Sequence, residues 1–196
     1  MSLREILHMV LILTLFTGVW GGLLSLVKIA TEDQIEYQRI KNVKAPALEK
    51  AFSGEEYTND PVKERREIVV GRDQSGDPIK RNVFIAKKDG RIVSIAFEGY
   101  GSGYGGDMGV MVAIDPSESV VEGIAVTTHS ETPGVGTDPM EDESFMGQFS
   151  GKELSTSFGP GGRMDTYSGA TYTSDGIMQG VQNAVSLYSR IKDKIL

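Results

Sequence analysis

The chain has 196 residues, a formal net charge of −7, no cysteine and only two histidines. About 165 residues follow an N-terminal apolar run, enough for one domain but not for two of ordinary size. The acidic balance disfavours a nucleic-acid partner, and the lack of cysteine excludes disulfides, thiolate-bound iron–sulfur clusters and Cys-x-x-Cys-His haem attachment. With so few histidines, a transition-metal redox centre is also disfavoured, so any electron carried here needs an organic cofactor.

The first predicted element is a transmembrane helix. From Ile6 to Val27 the residues are uncharged and mostly apolar, long enough at 1.5 Å rise to cross a hydrocarbon core of roughly 30 Å. A cleaved signal peptide is the alternative, but it would end in small residues, where this chain has Lys28. We therefore expect a retained anchor over residues 1–30. The flanking Lys and Arg do not fix its orientation.

Residues 31–60 are predicted to form a stalk and first helix. The composition turns polar after Thr31, and Pro46 is expected to break or restart the helix. The residue types before Pro61 are typical of a turn. Residues 61–196 remain for a single domain.

Short segments rich in Val, Ile and Phe alternate with turn residues in the middle of the chain, which predicts an antiparallel sheet. The clearest hairpin turns at Lys88-Asp89-Gly90, where Gly supplies a positive φ. The predicted strands are Glu67–Gly71, Arg81–Lys87, Arg91–Glu98, Gly109–Ile114 and Val120–Thr128.

Two glycine-rich segments follow no phosphate-loop consensus. Gly99–Gly106 lacks the Gly-Lys-Ser/Thr ending, and by itself it indicates a flexible connection, although its tyrosines are able to flank a planar ring. His129–Gly136 comes directly after a strand and is predicted to be a tight polar loop, a frequent position for a binding surface.

A last helix of roughly four turns is expected to begin near Ser174, with Thr173, Ser174 and Asp175 as candidate caps. The Thr171 hydroxyl then lies within about one turn of a helix N-terminus, where free N–H groups favour a phosphate. Gly169 and Ala170 keep that approach uncrowded. The apolar positions with helical spacing are Ile177, Val181, Ala184, Val185, Tyr188 and Ile191.

Two other interpretations of these residues stay open. Thr171 can simply cap a helix in a membrane-anchored assembly or ligand-binding module. His129 with Ser130 or Ser168 suggests a hydrolase, but the chain has no nucleophile elbow, and a triad cannot be recognised from residue order.

The segment Asp165-Thr-Tyr-Ser-Gly-Ala-Thr-Tyr-Thr-Ser174 resembles the flavinylation motif of the flavin-carrying G subunits of Rnf complexes and C subunits of Nqr complexes. His129-Ser-Glu-Thr-Pro-Gly-Val-Gly136 is similar to the loop that lies against the flavin in that family. Ser53-Gly-Glu-Glu-Tyr-Thr-Asn-Asp60 resembles the segment after the stalk of Rnf G subunits, with Ser53 in place of proline. The single span and modest length fit the Rnf type better than the longer Nqr protein.

The resemblance implies an α+β fold: an N-terminal transmembrane helix, then an FMN-binding domain with a mainly antiparallel sheet flanked by helices. It implies FMN joined by a phosphoester to Thr171 through a flavin transferase, with no catalytic side chain and no metal. The other flavin-site residues it implies are Ser168, Gly169, Ala170, Glu131, Thr132, Pro133 and Gly134.

The function implied is that of a single-pass, electron-relaying subunit, not catalytic alone, in a redox-driven ion translocase. Rnf complexes couple electron transfer between ferredoxin and NAD to ion translocation, and the sodium-pumping NADH:quinone reductase, Nqr, is the alternative. The implied partners are the other membrane subunits and membrane lipid. The implied location is the inner (plasma) membrane, with the C-terminal domain periplasmic or otherwise extracytoplasmic.

Overall fold

The structure is a computed structural model that describes residues 3–52 and 56–195. Residues 53–55, which open the segment resembling the Rnf stalk connection, lie outside the described residues. The chain divides into two compact units, one ending at Ile40 and the other beginning at Lys41. Each unit has its own architecture.

The N-terminal unit is a single long helix. α1 spans Leu3–Arg39, and its large apolar side chains are exposed. Within the described ranges, its stretch Leu3–Glu32 is the only helix long and apolar enough to cross a membrane. The polar residues from Thr31 onward continue this helix as far as Arg39.

The helix type changes where the C-terminal unit begins. Ile40–Lys44 form a π-helical turn, and α2 follows at Ala45–Ala51. Pro46 lies in the first turn of α2, the part of a helix that tolerates proline best. The expected restart of the helix at this proline is confirmed.

The described part of the segment before Pro61 is attached to the sheet by Asn59. Its side-chain amide donates to the Ile85 carbonyl oxygen (2.9 Å) and accepts from the Lys87 N–H (2.7 Å). Asp60 then accepts from two backbone N–H groups of the following turn. These side-chain bonds stabilise the predicted turn.

Six strands form one antiparallel sheet in which each strand pairs with its neighbours in the chain. They are β1 (Arg66–Arg72), β2 (Pro78–Lys88), β3 (Arg91–Ser102), β4 (Asp107–Asp115), β5 (Val120–Thr128) and β6 (Lys152–Glu153). The predicted fold class, a mainly antiparallel sheet flanked by helices, is confirmed. The sequence did not predict β6, because two residues are too few to show an alternating pattern.

The hairpin between β2 and β3 turns at the predicted residues. Asp89 and Gly90 both have positive φ, 51° and 80°. Two consecutive residues in this region form the turn whose twist matches that of the flanking strands. Asp tolerates the left-handed conformation better than most residues, which explains why one glycine is enough.

Alternate residues of the central strands face the two sides of the sheet. One register row, Val83, Phe97, Val112 and Ile124, belongs to the main hydrophobic core with α5 (Thr171–Ile195). The neighbouring row lies on the other face of the sheet, and its apolar side chains are also buried. It consists of Phe84, Ala96, Ala113 and Gly123. Small residues there let α2 approach, since a Cβ at Gly123 would lie 2.5 Å from the Ala51 carbonyl oxygen.

The last helix is longer than predicted and begins earlier. α5 starts at Thr171, and its first i−4 hydrogen bond runs from the Ser174 N–H to the Ala170 carbonyl oxygen. Ser174 is therefore inside the helix, where its hydroxyl accepts from the Tyr167 N–H and donates to the Ala170 oxygen. The expected start near Ser174 was wrong. The Ser174 hydroxyl binds the loop before the helix and does not cap the N-terminus of the helix. The predicted apolar face is confirmed as buried.

The expected flexible connection over Gly99–Gly106 was also wrong. Gly99 to Ser102 continue β3, and only residues 103–106 form the turn to β4.

Two short helices, α3 (Asp138–Glu141) and α4 (Glu143–Gly147), follow the His129–Gly136 loop and were not predicted. Helices of this length show too little periodicity to be read from sequence.

Candidate functional site

Thr171 is exposed and stands first in α5. The preceding Gly169 has φ +86°, a conformation that reverses the chain just before the helix begins. Ser168 and Gly169 are exposed, whereas Ala170 is buried. The first N–H groups of a helix lack i−4 partners, and with the helix dipole they favour an anion at this end. The Thr171 hydroxyl thus has open access beside a natural phosphate position.

The loop leading to Thr171 is tied to α4. Gln148, just after this helix, donates to the Asp165 carbonyl oxygen (3.1 Å) and accepts from the Asp165 N–H (2.8 Å). The Phe145 and Tyr167 rings make an edge contact with centroids 6.2 Å apart. No motif in the sequence indicates these supports, because Gln148 and Phe145 belong to none.

Glu131 lies beneath the predicted flavin loop. This residue is only 6% exposed, and its Oε1 accepts from the Gly105 N–H (3.1 Å). A Cβ at Gly103 would overlap this oxygen, and one at Gly136 would lie 2.6 Å from Oε2. The carboxylate is therefore enclosed between its own loop and the turn that joins β3 to β4.

The rest of that loop is a turn at the surface. Thr132, Pro133 and Gly134 are exposed. The Thr132 carbonyl oxygen accepts from the Gly136 N–H (2.9 Å), and Gly134 has φ +72°. This part of the loop is accessible to a ligand, while Glu131 is not.

The turn between β3 and β4 also lies against α5. The Ser102 N–H donates to the Gln179 side chain (3.0 Å), and a Cβ at Gly176 would lie 3.0 Å from the Gly103 nitrogen. The ring of Tyr104, in this turn, lies 6.0 Å from that of Tyr172, the neighbour of Thr171. The β3–β4 turn thus joins the Glu131 loop to the helix end that carries Thr171.

A hydrolytic pair does not form here. The His129 Nδ1 accepts from the Glu131 N–H (3.3 Å), so the ring is engaged by its own loop. Across the described residues, no hydrogen bond joins this ring to Ser130 or Ser168. A nucleophile needs a base within hydrogen-bonding reach, and the contacts of His129 do not supply one.

Over residues 3–52 and 56–195, no group of three or more His, Asp or Glu side chains is placed to hold an ion.

A cleft in the C-terminal unit lies away from Thr171. It has a volume of about 720 Å³ and is bounded by α2, β5 and the α3–α4 segment, and Thr171 does not line it. His129 and Thr137 belong to its wall.

A buried ion pair lies on the α2 face of the sheet. Lys44 Nζ is 3.0 Å from Glu98 Oε2, with side chains only 14% and 8% exposed. Tyr100 donates its hydroxyl to the same carboxylate (3.0 Å), and the Arg81 guanidinium lies 4.9 Å from the Tyr100 ring centre. Burial by itself would raise the pKa of Glu98, but Lys44 and these hydrogen bonds outweigh it and lower the pKa. The only sign of this pair in the sequence is Glu98 itself, an acidic residue at the end of an apolar strand segment.

The region around Thr171 is similar to known proteins. Residues 103–186 match the family described as FMN-binding domain. The G subunit of the ion-translocating oxidoreductase complex of Aliivibrio fischeri is 27% identical over 95% of this chain and 91% of its own length. The corresponding protein of Cereibacter sphaeroides is 29% identical over 95% of this chain and 85% of its own.

The expected resemblance to G subunits of ion-translocating complexes and to an FMN-binding domain is thereby confirmed. The FMN-binding match contains the β3–β4 turn, the Glu131 loop and the start of α5. Among solved structures, the C subunit of the Na⁺-translocating NADH-quinone reductase of Parabacteroides distasonis aligns with a TM-score of 0.57 at 20% identity, covering 80% of this chain and 94% of that one. At this identity the similarity concerns the fold alone.

Proposed function

We propose that this chain is the electron-transfer subunit, carrying covalently bound FMN, of an Rnf-type membrane complex that couples electron transfer between ferredoxin and NAD to ion translocation. The curated relatives, which are named as G subunits of an ion-translocating oxidoreductase complex, align over 95% of the chain. The alternative, a C-type subunit of Nqr, has the weaker support of a shared fold at 20% identity.

The observation that carries this proposal is the position of Thr171. Its exposed hydroxyl stands at the N-terminus of the longest helix of the C-terminal unit, inside the matched FMN-binding region. This environment fits a phosphoester, because helix N–H groups and the positive dipole end stabilise phosphate oxygens. Ser168, Gly169 and Ala170 shape the approach without crowding it.

The side chains of the site bind and position the cofactor. FMN, when bound, accepts and donates electrons through its own ring system. Thr171 is the tether and not a catalytic nucleophile. Glu131 holds the β3–β4 turn through Gly105, and Thr132, Pro133 and Gly134 provide the exposed edge of the neighbouring loop. No catalytic residue and no metal is assigned.

Attachment requires a flavin transferase. Thr171, Ser168 and Gly169 are exposed, so a second protein can reach the hydroxyl without unfolding the domain. Covalent attachment also keeps the cofactor at a high effective concentration where it cannot be replaced from the cytoplasm.

The proposed location is the inner membrane, with the C-terminal domain on the periplasmic or extracytoplasmic side. α1 would be surrounded by lipid and the other membrane subunits, since its apolar side chains are exposed. In this assignment residues 1–30 are the anchor, 31–60 the stalk and first helix, and 61–196 the FMN-binding domain.

The test is electron transfer in the assembled complex. We expect Thr171→Ala to leave the chain associated with its partner subunits in purified membranes while abolishing ferredoxin- or NADH-driven electron flow through the complex. Thr171→Ser, which keeps a hydroxyl, is the matched variant and should retain part of the flow. Undiminished electron flow in assembled Thr171→Ala complexes would contradict the proposal.

A further inference from the structure

Two tyrosines beside Thr171 have no role in the site described so far. Tyr104 is 79% exposed and Tyr172 is 68% exposed. Their rings lie 6.0 Å apart at an interplanar angle of 51°. Tyr172 follows the tether directly in α5, whereas Tyr104 comes from the β3–β4 turn, 68 residues earlier in the chain. Folding thus brings two large aromatic surfaces together at the tether and leaves them exposed.

The backbone that presents Tyr104 is fixed on both sides. Before it, the Ser102 N–H is held by Gln179 of α5 (3.0 Å). After it, the Gly105 N–H is held by the buried carboxylate of Glu131 (3.1 Å). A Cβ at Gly105 would overlap the Ser130 carbonyl oxygen, so the turn lies directly on the neighbouring loop. Tyr104 is the single non-glycine residue of this turn, and its side chain is exposed.

We propose that Tyr104 and Tyr172 form the surface that binds the isoalloxazine ring of FMN, and that Glu131 positions this surface through Gly105. This inference depends on the proposed function, because it assumes FMN at Thr171. A flat ring tethered at Thr171 by the ribityl chain finds Tyr172 on the next residue and Tyr104 beside it. Aromatic rings favour offset or edge contacts with one another.

The arrangement also explains how an exposed cofactor is kept in one orientation. A tether by itself leaves the ring free to sample many positions, whereas a preformed aromatic surface reduces the entropy lost when the ring is ordered. Electron transfer to partner subunits depends on a defined ring position, which the protein supplies. Tyr104 and Tyr172 are therefore positioning residues for the cofactor.

The test uses the optical signals of the attached flavin. The full chain is produced with a flavin transferase, purified in detergent, and checked for the FMN adduct by intact mass. A tyrosine against the flavin shortens its fluorescence lifetime by donating an electron to the excited ring, which then returns it. A ring held in one orientation also shows a visible circular-dichroism signal.

Phe and Leu variants separate these two effects. In the double variant Tyr104→Phe, Tyr172→Phe we expect the fluorescence lifetime to lengthen at least twofold, because phenylalanine does not donate the electron, while the visible circular dichroism is retained. In Tyr104→Leu and Tyr172→Leu the lifetime should lengthen and the dichroism should fall. Tyr57→Phe is the control, since Tyr57 packs on Phe52 (5.5 Å) before β1, and it should change neither signal.

Two outcomes distinguish the inference from the function on which it depends. If both Leu variants carry the adduct and show wild-type lifetime and dichroism, the ring does not bind this surface and the inference is wrong, although the flavin assignment stands. If the wild-type chain carries no adduct, the proposed function fails and the inference fails with it.

Discussion

Glycine has one role in the buried contact between β3 and α5 and a different role at the exposed start of α5. Along the contact, Gly99 and Gly101 of β3 face Gly180 and Gly176 of α5, and a Cβ on either strand glycine would overlap a helix carbonyl oxygen. At the exposed end of the same helix, Gly169 has nothing near its missing side chain and instead adopts φ +86°. Buried glycines thus bring two backbones together, whereas the exposed one reverses the chain just before Thr171.

This difference shows how an exposed residue can have a well-defined position. The loops around Thr171 lie at the surface, yet α5 is fixed against the sheet by direct backbone contact. Side chains of the helix add to this, since Asn183 donates to the Tyr100 carbonyl oxygen (2.8 Å) and Gln179 accepts from the Ser102 N–H. The position of Thr171 therefore depends on buried contacts along α5 as well as on the loop that precedes it.

The largest expected effect comes from breaking the buried contact. Gly99→Ala places a Cβ against the Gly180 carbonyl oxygen, a backbone atom that cannot rotate away. We expect a loss of about 3 kcal/mol in the free energy of unfolding, at the upper end of typical overpacking costs. Urea denaturation of the full chain in detergent, followed by circular dichroism, measures this loss.

The matched control is Gly71→Ala in β1. A Cβ at Gly71 meets nothing within 4 Å, so this variant should stay within about 0.5 kcal/mol of the wild type. Equal unfolding midpoints for the two variants would show that the helix is not held by close backbone approach.

The sequence predicted the exposed half of this comparison better than the buried half. The Ser168–Thr171 segment and the His129–Gly136 loop were recognised as local patterns, and the apolar face of α5 followed from its helical period. The strand glycines were interpreted as a flexible connection, because their partners Gly176 and Gly180 lie more than 70 residues away in the chain. Close approach between distant segments leaves no local period to detect.

The polar contacts of the domain were unpredictable for a related reason. Glu131 was expected at the flavin loop, but its enclosure by Gly103 and Gly136 depends on how two turns meet. Lys44 and Glu98 are separated by 54 positions and belong to different elements. A charge pattern in sequence does not indicate which opposite charge will be buried beside it.

A smaller loss of stability is expected from breaking the Lys44–Glu98 ion pair on the other face of the sheet. Lys44→Met leaves the Glu98 carboxylate buried without its cation and should lower the free energy of unfolding by about 2 kcal/mol at neutral pH, less than for a fully buried pair. The pKa of Glu98 is lowered in the folded chain. Its stabilising contribution is therefore complete above the unfolded pKa, about 4.3, and is lost as the pH falls through the folded value.

Denaturation of wild type and Lys44→Met at several pH values tests this sign. The difference between them should be largest near neutral pH and should shrink in acid, as Glu98 becomes protonated. Lys63→Met is a suitable control, because its partner Asp60 is a surface residue and the pair is exposed. A difference for Lys44→Met that grows in acid would contradict the assigned role of the pair.

Substitution of Thr171 is expected to have the smallest effect on stability. Because its side chain is exposed, Thr171→Ala should change the free energy of unfolding by less than about 0.5 kcal/mol. The decisive measurement is peptide mass spectrometry of the full chain co-produced with a flavin transferase. We predict an FMN phosphoester on Thr171 in the wild type and in Ser168→Ala, and none in Thr171→Ala. An unmodified Thr171 in the wild type, or an adduct found on Ser168 instead, would contradict the claim that this helix end carries the flavin.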